Sequence, residues 1–185
     1  DINPSPKKNI CTSRSFGVKV RDFQSLKESI SSHAARCAEK LRLEKGCARY
    51  VSVVIKTNPF SDSDYYCGYK SSSFDVPTND TLDIINAAEN ILRSIYKKGL
   101  EYKKSGVIVG DIIPQNQVQL NLFDMDEKRI KRKKLDSTVD IINQAMGRST
   151  IHIGSQGIAK NWQLKREKLS PCYTTKWDDL LTINC

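Results

Sequence analysis

The chain has 185 residues, 38% of them apolar and 28% charged, enough for one sizeable core, which excludes collagen-like, fully disordered and disulfide-scaffold classes. Its 30 Lys and Arg against 21 Asp and Glu leave a net charge of +9, which favours a polyanionic partner, nucleic acid first, over an acidic small molecule; a solvated lysine face would read the same way. No run reaches the roughly 18 consecutive apolar residues of a membrane span, and the N-terminus lacks the apolar core of a signal peptide, so a cytoplasmic protein with no membrane partner is expected.

The first residue, Asp1 rather than Met, is read as a cut from something longer. After a linker over 1–9, CTSRSFG at 11–17 is compatible with a strand. Leu26, Ile30, Ala34, Cys37 and Leu41 then recur on one face of a helix placed at 23–45. Ser25 and Glu28 fit a capping box, Asp22 competes as N-cap, and Gly46 is the expected stop. RYVSVVIKT at 49–57 alternates Val51, Val53 and Ile55 with Ser52 and Lys56, the mark of a half-buried strand.

Asn58, Pro59 and the polar run that follows make a turn into YYCGYKSSSF, a strand expected to pair with its predecessor as a hairpin. A second helix at 80–98 carries Leu82, Ile85, Ala88, Leu92 and Ile95, with Lys97, Lys98 and Gly99 at its end. Strand chemistry returns from Tyr102 to Ile113. The order is β-α-β-β-α-β, an α+β fold of the split βαβ kind, with a four-stranded sheet and two helices on one face. The other face of that sheet is left open for binding.

Past Pro114, residues 115–129 read as a linker and 130–185 as an extended, partly helical tail. Its helix is placed at 133–146 and stopped by Gly147, and the remainder is expected to bury little on its own. The six cysteines show no CxxC pair or Cys/His cluster, so free thiols are expected. His33 sits within the first helical pattern and reads as a helix-face or partly buried imidazole rather than a catalytic base. Asp124 with Asp126, and Asp178 with Asp179, lack the third carboxylate of a two-metal site. No phosphate-binding glycine motif or nucleophilic triad is present, and no catalytic residue is assigned.

Two features point to binding. Basic residues are interleaved with small hydroxyls in each predicted strand, around Ser13 and Arg14, Lys56 and Thr57, Lys70 and Ser71, and Lys103 and Lys104. Such side chains contact phosphates without reading bases. In the linker, Gln119, Leu120, Asn121, Leu122 and Phe123 offer a hydrogen-bonding anchor and an apolar plug, the chemistry of an extended peptide docking in a preformed pocket. The sequence QLNLF resembles the pentapeptide by which bacterial polymerases bind the sliding clamp.

Taken together, SRSFG at 13–17, AARCAEKLR at 34–42, VIKTNPF at 54–60, TNDT at 78–81, IYKKG at 95–99, YKKSGV at 102–107, QLNLF, and LSPCYTTKWDDL at 169–180 resemble the C-terminal half of the UmuC-like Y-family translesion DNA polymerases. The resemblance covers nearly the whole chain. It implies that residues 10–114 are a little finger domain gripping damaged or primer-template DNA, with Ser13, Arg14, Lys56, Thr57, Lys70, Ser71, Lys103 and Lys104 as DNA contacts. It further implies Gln119 to Phe123 as the sliding-clamp motif, and the tail as a surface for the UmuD′ dimer and RecA.

A bacterial, cytoplasmic setting and a role in the SOS response follow from the same likeness. The Mg²⁺ carboxylates of that family belong to a palm domain absent from this chain, so no cofactor and no polymerisation are expected here. Cys172 stands where such tails often carry a basic residue. The alternative is a stand-alone RNA-binding or protein-interaction module of ferredoxin-like topology. An RNA-binding sheet of that kind would need a block of stacking aromatics that the sequence lacks.

Overall fold

In a computed structural model, which describes residues 7–61, 65–119, 126–164 and 169–180, the apolar periodicities become elements in the predicted order. These are β1 (Asn9–Val20), α1 (Phe23–Leu43), β2 (Gly46–Thr57), β3 (Cys67–Thr78), α2 (Thr81–Ile95) and β4 (Tyr102–Pro114). The sheet order is β1-β4-β2-β3 with antiparallel neighbours throughout. Strand β4 therefore lies between β1 and β2, and β2 between β3 and β4, so both βαβ crossovers are split. β2 and β3 form the expected hairpin.

Both helices pack on one face of the sheet. Phe16, Leu26, Ile30, Leu41, Val51, Val53, Ile55, Ile84, Leu92, Val107 and Val109 are sealed between the layers. Each such side chain stabilises the fold by about 1.5–3 kcal/mol. Asp22, already extended at φ −88°, takes the cap of α1 and accepts from the Ser25 amide at 2.7 Å, so the Ser25/Glu28 box does not form. The helix is turned off at Lys45 (φ 51°) and not at Gly46, which instead opens β2 where the Ile112 side chain leaves no room for a Cβ.

The segment after β4 departs most from expectation. Helix α3 spans Asp126–Met146, beginning inside the predicted linker and seven residues before the predicted start. Lys and Arg are good helix formers, and the basic run is tied down at once. Arg129 donates to the Pro77 carbonyl at 3.0 Å and Arg132 to Asp83 at 2.7 Å. Gly147 (φ 103°) ends the helix as predicted.

The described tail beyond α3 stays mostly exposed, and its main burial is made against the first domain and not within the tail. Trp162 is 4% exposed, packing edge-on against Phe16 at 6.0 Å and His33 at 6.2 Å. Its carbonyl accepts from the Gly17 amide at 3.1 Å. Trp162 thereby closes the apolar core beside α1 and β1.

Candidate nucleic-acid interface

Successive side chains along a strand point to opposite faces, and register partners share a face. Val51, Val53 and Ile55 define the helix-covered side, so Tyr50, Ser52, Val54 and Lys56 look the other way. Pairing then builds rows across the open face. Ser15, Lys104, Lys56 and Cys67 form one row; Ser13, Gly106, Val54 and Tyr69 the next; Cys11, Ile108, Ser52 and Ser71 the third; Asn9, Gly110, Tyr50 and Ser73 the last.

The face is low in relief and rich in hydroxyls. Gly106 and Gly110 keep the β4 ridge bare: a Cβ at Gly106 would lie 2.6 Å from that of Ser13, and one at Gly110 would collide with the Tyr50 ring. Tyr50 reaches across Gly110 to Asn9 Oδ1 at 3.1 Å, and the Tyr69 hydroxyl donates to Ser52 at 3.2 Å. At one end Lys56 stands directly opposite Lys104. Among the described residues neither has a carboxylate partner.

The eight predicted contacts divide evenly. Ser13, Lys56, Ser71 and Lys104 share the open face. Arg14 pairs with Ser105, whose hydroxyl meets Ser29 of α1 at 2.6 Å, so Arg14 lies on the helix side of edge strand β1. Lys70 pairs with core residue Val53 and lies on the helix side of the other edge. Thr57 is 4% exposed and accepts from the Tyr66 amide at 2.8 Å. Lys103 is half-buried, its ammonium donating to the Phe16 carbonyl at 3.0 Å.

Ser15, Tyr69 and Ser73 were not among the predicted contacts, yet they lie on the same surface. Counting in twos from Ser13 and Ser71 would have found them. Of the clamp motif, Gln119 is exposed; Leu120, Asn121, Leu122 and Phe123 lie outside the described residues.

Other titratable groups are structural. Burial, helped by the nearby Arg14 charge, lowers the His33 pKa to about 4. Burial pushes the Cys37 thiol up to about 11. Among the described residues no three His, Cys, Asp or Glu side chains gather as metal ligands would, and no helix is long and apolar enough to cross a membrane. Asp179 is engaged by the Cys172 amide at 2.9 Å and by Lys176. The described cysteines are free thiols.

The C-terminal domain of the impB/mucB/samB family matches residues 7–122. The chain belongs to that family. A second match, to a domain of unknown function, covers residues 133–183. Over 178 residues the chain is 42% identical to protein UmuC of Salmonella typhimurium, an alignment covering 96% of this chain and 42% of that protein. Protein SamB of Salmonella typhimurium gives the same identity and coverage, and MucB of Escherichia coli is 36% identical over 95% of this chain and 41% of its own. The chain thus spans about two-fifths of the length of these impB/mucB/samB relatives.

Among solved structures, the little finger domain of PolIV in a complex with the beta-clamp is 16% identical with a TM-score of 0.42, covering 63% of this chain and 99% of that one. The insertion ternary complex of Dbh DNA polymerase is 18% identical with a TM-score of 0.40, covering 57% and 29%. In this member of the impB/mucB/samB family the two matched regions are packed together, since Trp162 of the second fills the core of the first.

Proposed function

We propose that the chain is the non-catalytic, DNA-gripping C-terminal part of a Y-family translesion polymerase, holding primer-template through the backbone with the open sheet face. One observation carries the reading: Lys56 and Lys104 are directly opposed on an exposed, hydroxyl-rich surface, and among the described residues neither is paired with a carboxylate. Like charges placed opposite one another destabilise a sheet, and a bridging phosphate turns that repulsion into attraction. Serines at 13, 15, 71 and 73 add donors for phosphate oxygens, and the planar amide on the described face, Asn9, has its oxygen engaged by Tyr50.

Ser13, Lys56, Ser71 and Lys104 are thus the contacts the geometry supports. Template-directed nucleotidyl transfer would belong to the remainder of a longer parent. Gln119, Leu122 and Phe123 would tether that parent to the sliding clamp and raise its effective concentration at the primer end. Surfaces for UmuD′ and RecA would fall to the tail, where Tyr173 and Trp177 are exposed.

The test is a salt titration with labelled primer-template. Removing phosphate contacts lowers both affinity and the salt slope, the slope by about 0.9 per contact. Lys56→Gln with Lys104→Gln is expected to weaken binding about tenfold and to reduce the slope by about 2. Unchanged affinity and slope would take the sheet out of the interface. Separately, Gln119→Ala with Leu122→Ala and Phe123→Ala is expected to abolish binding to purified clamp while leaving DNA binding intact.

A further inference from the structure

Two tyrosines of the open face lie along the sheet instead of standing off it. Tyr69 of β3 is opposite Val54, yet its hydroxyl donates to Ser52, two residues away along β2, at 3.2 Å. Diagonal neighbours of this kind are about 7–8 Å apart, so the side chain has to be laid across the gap between the strands. Tyr50 of β2 reaches further, its hydroxyl donating at 3.1 Å to Asn9 of β1, with β4 in between. It can do so because β4 has Gly110 at the crossing, and the tip of the Tyr50 ring fills the space a Cβ would take there. Each ring is thus held at both ends, by its backbone and by its hydroxyl. Tyr69 is still 58% exposed and Tyr50 is half-buried.

Rings fixed in this way suit one kind of ligand. A side chain already held in place loses little conformational freedom when a flat group is laid on it, and every nucleobase has a π-face to lay. Inside a duplex both faces of a base are covered by its neighbours, so the bases free to stack on protein are unpaired ones. The rows that hold the two rings also hold the charge: they contain Lys56 and Lys104 and no Asp or Glu. Asp111, just past Gly110, is paired with Arg49 at 3.7 Å. At two residues per row, Tyr69 lies about 7 Å and Tyr50 about 20 Å along the strands from the lysine row. A strand whose phosphate rests on the lysines passes Tyr69 first and Tyr50 a few nucleotides later.

We propose that Tyr69 and Tyr50 are stacking platforms for unpaired bases of the template strand, so that the open face takes single-stranded DNA by base as well as by phosphate. The proposal rests on the DNA reading of the sheet and deepens it by naming which part of a primer-template the face holds.

The experiment uses the 185-residue chain and one duplex in three forms: with a template overhang of about ten nucleotides, with the same overhang made abasic, and blunt. The abasic strand keeps the phosphates and lacks the bases. Wild type is expected to bind the normal overhang about fivefold or more tighter than the abasic one. Tyr50→Ala with Tyr69→Ala, checked for an unchanged melting temperature, is expected to abolish that preference. Its salt slope should stay unchanged, because no phosphate contact is lost, and it should bind the abasic and blunt forms as wild type. Lys56→Gln with Lys104→Gln weakens binding to all three forms and keeps the preference. Equal wild-type affinity for the normal and abasic overhangs overturns the proposal without recourse to any variant. So does a tyrosine variant that retains the preference, or one that loses affinity equally on all three forms, the mark of a misshapen face; each of these leaves the sheet reading standing. If the lysine variant binds all three as wild type, the sheet reading fails, and the proposal fails with it.

Discussion

His33 shows how one side chain ties pH to the tail. Its ring is 4% exposed, with Nε2 3.4 Å from the Ser29 hydroxyl and Trp162 edge-on beside it. Folded, the imidazole titrates at about 4; unfolded, it titrates near 6.5. Below pH 6.5 the unfolded chain therefore takes up a proton that the folded chain refuses. Stability falls as pH drops from about 6.5 to about 4 and then levels, a loss on the order of 3 kcal/mol. Urea unfolding at pH 7 and pH 4.5 should show this slope, and His33→Gln should flatten it. Lys56 teaches a different lesson at the same scale. Each predicted DNA contact was chosen with its neighbour, Ser13 with Arg14, Lys56 with Thr57, Lys70 with Ser71, Lys103 with Lys104, and adjacent strand residues cannot share a face. One of each pair was bound to lie elsewhere. The alternation of Val51, Val53 and Ile55 already assigned Thr57 to the core.

At the scale of elements, the two sheet-packing helices were legible because their apolar residues recur with a helical period over four turns or more. Helix α3 was not legible at its start, since KRIKRKK has no apolar stripe to mark a face; what fixes it is polar and distant in sequence. Arg42, at the end of α1, donates from Nε and Nη2 to Asp140, at 2.6 and 2.8 Å, and from Nη1 to the Asn79 carbonyl and Thr81 hydroxyl. Asp136 accepts from the Thr81 amide at 3.1 Å. Burial opposes the charge on Arg42, and Asp140 and Asp136 more than restore it; the Asp136 carboxyl is itself raised by burial, against the pull of Arg42. Arg42→Met would strand two carboxylates in a partly dry seam at a cost of about 3 kcal/mol. Chemical denaturation should register that loss, and exchange of α3 amides should speed up more than exchange in the sheet.

For the whole molecule, the surprise is that the tail and the sheet are one body. Trp162→Ala would empty a pocket walled by Phe16 and His33, with an expected loss of about 3–5 kcal/mol in urea unfolding. Gly17→Ala tests the same joint from the other side, because a Cβ there would sit 2.6 Å from the Gln163 carbonyl oxygen. Its expected signature is faster hydrogen exchange at β1 with the β2 and β3 hairpin unchanged. No local pattern announces this contact; a lone Trp in a polar stretch is compatible with solvent until the core it fills has been built. The joint also sets an order of events during synthesis. Gly17 and Trp162 stand near opposite ends of the chain, and translation runs at about 5–20 residues per second, so edge strand β1 waits on the order of ten seconds for the residue that closes over it. Until then its aromatic anchor, Phe16, lacks its lid, and the nascent chain is at its most vulnerable to chaperone capture or wrong pairing.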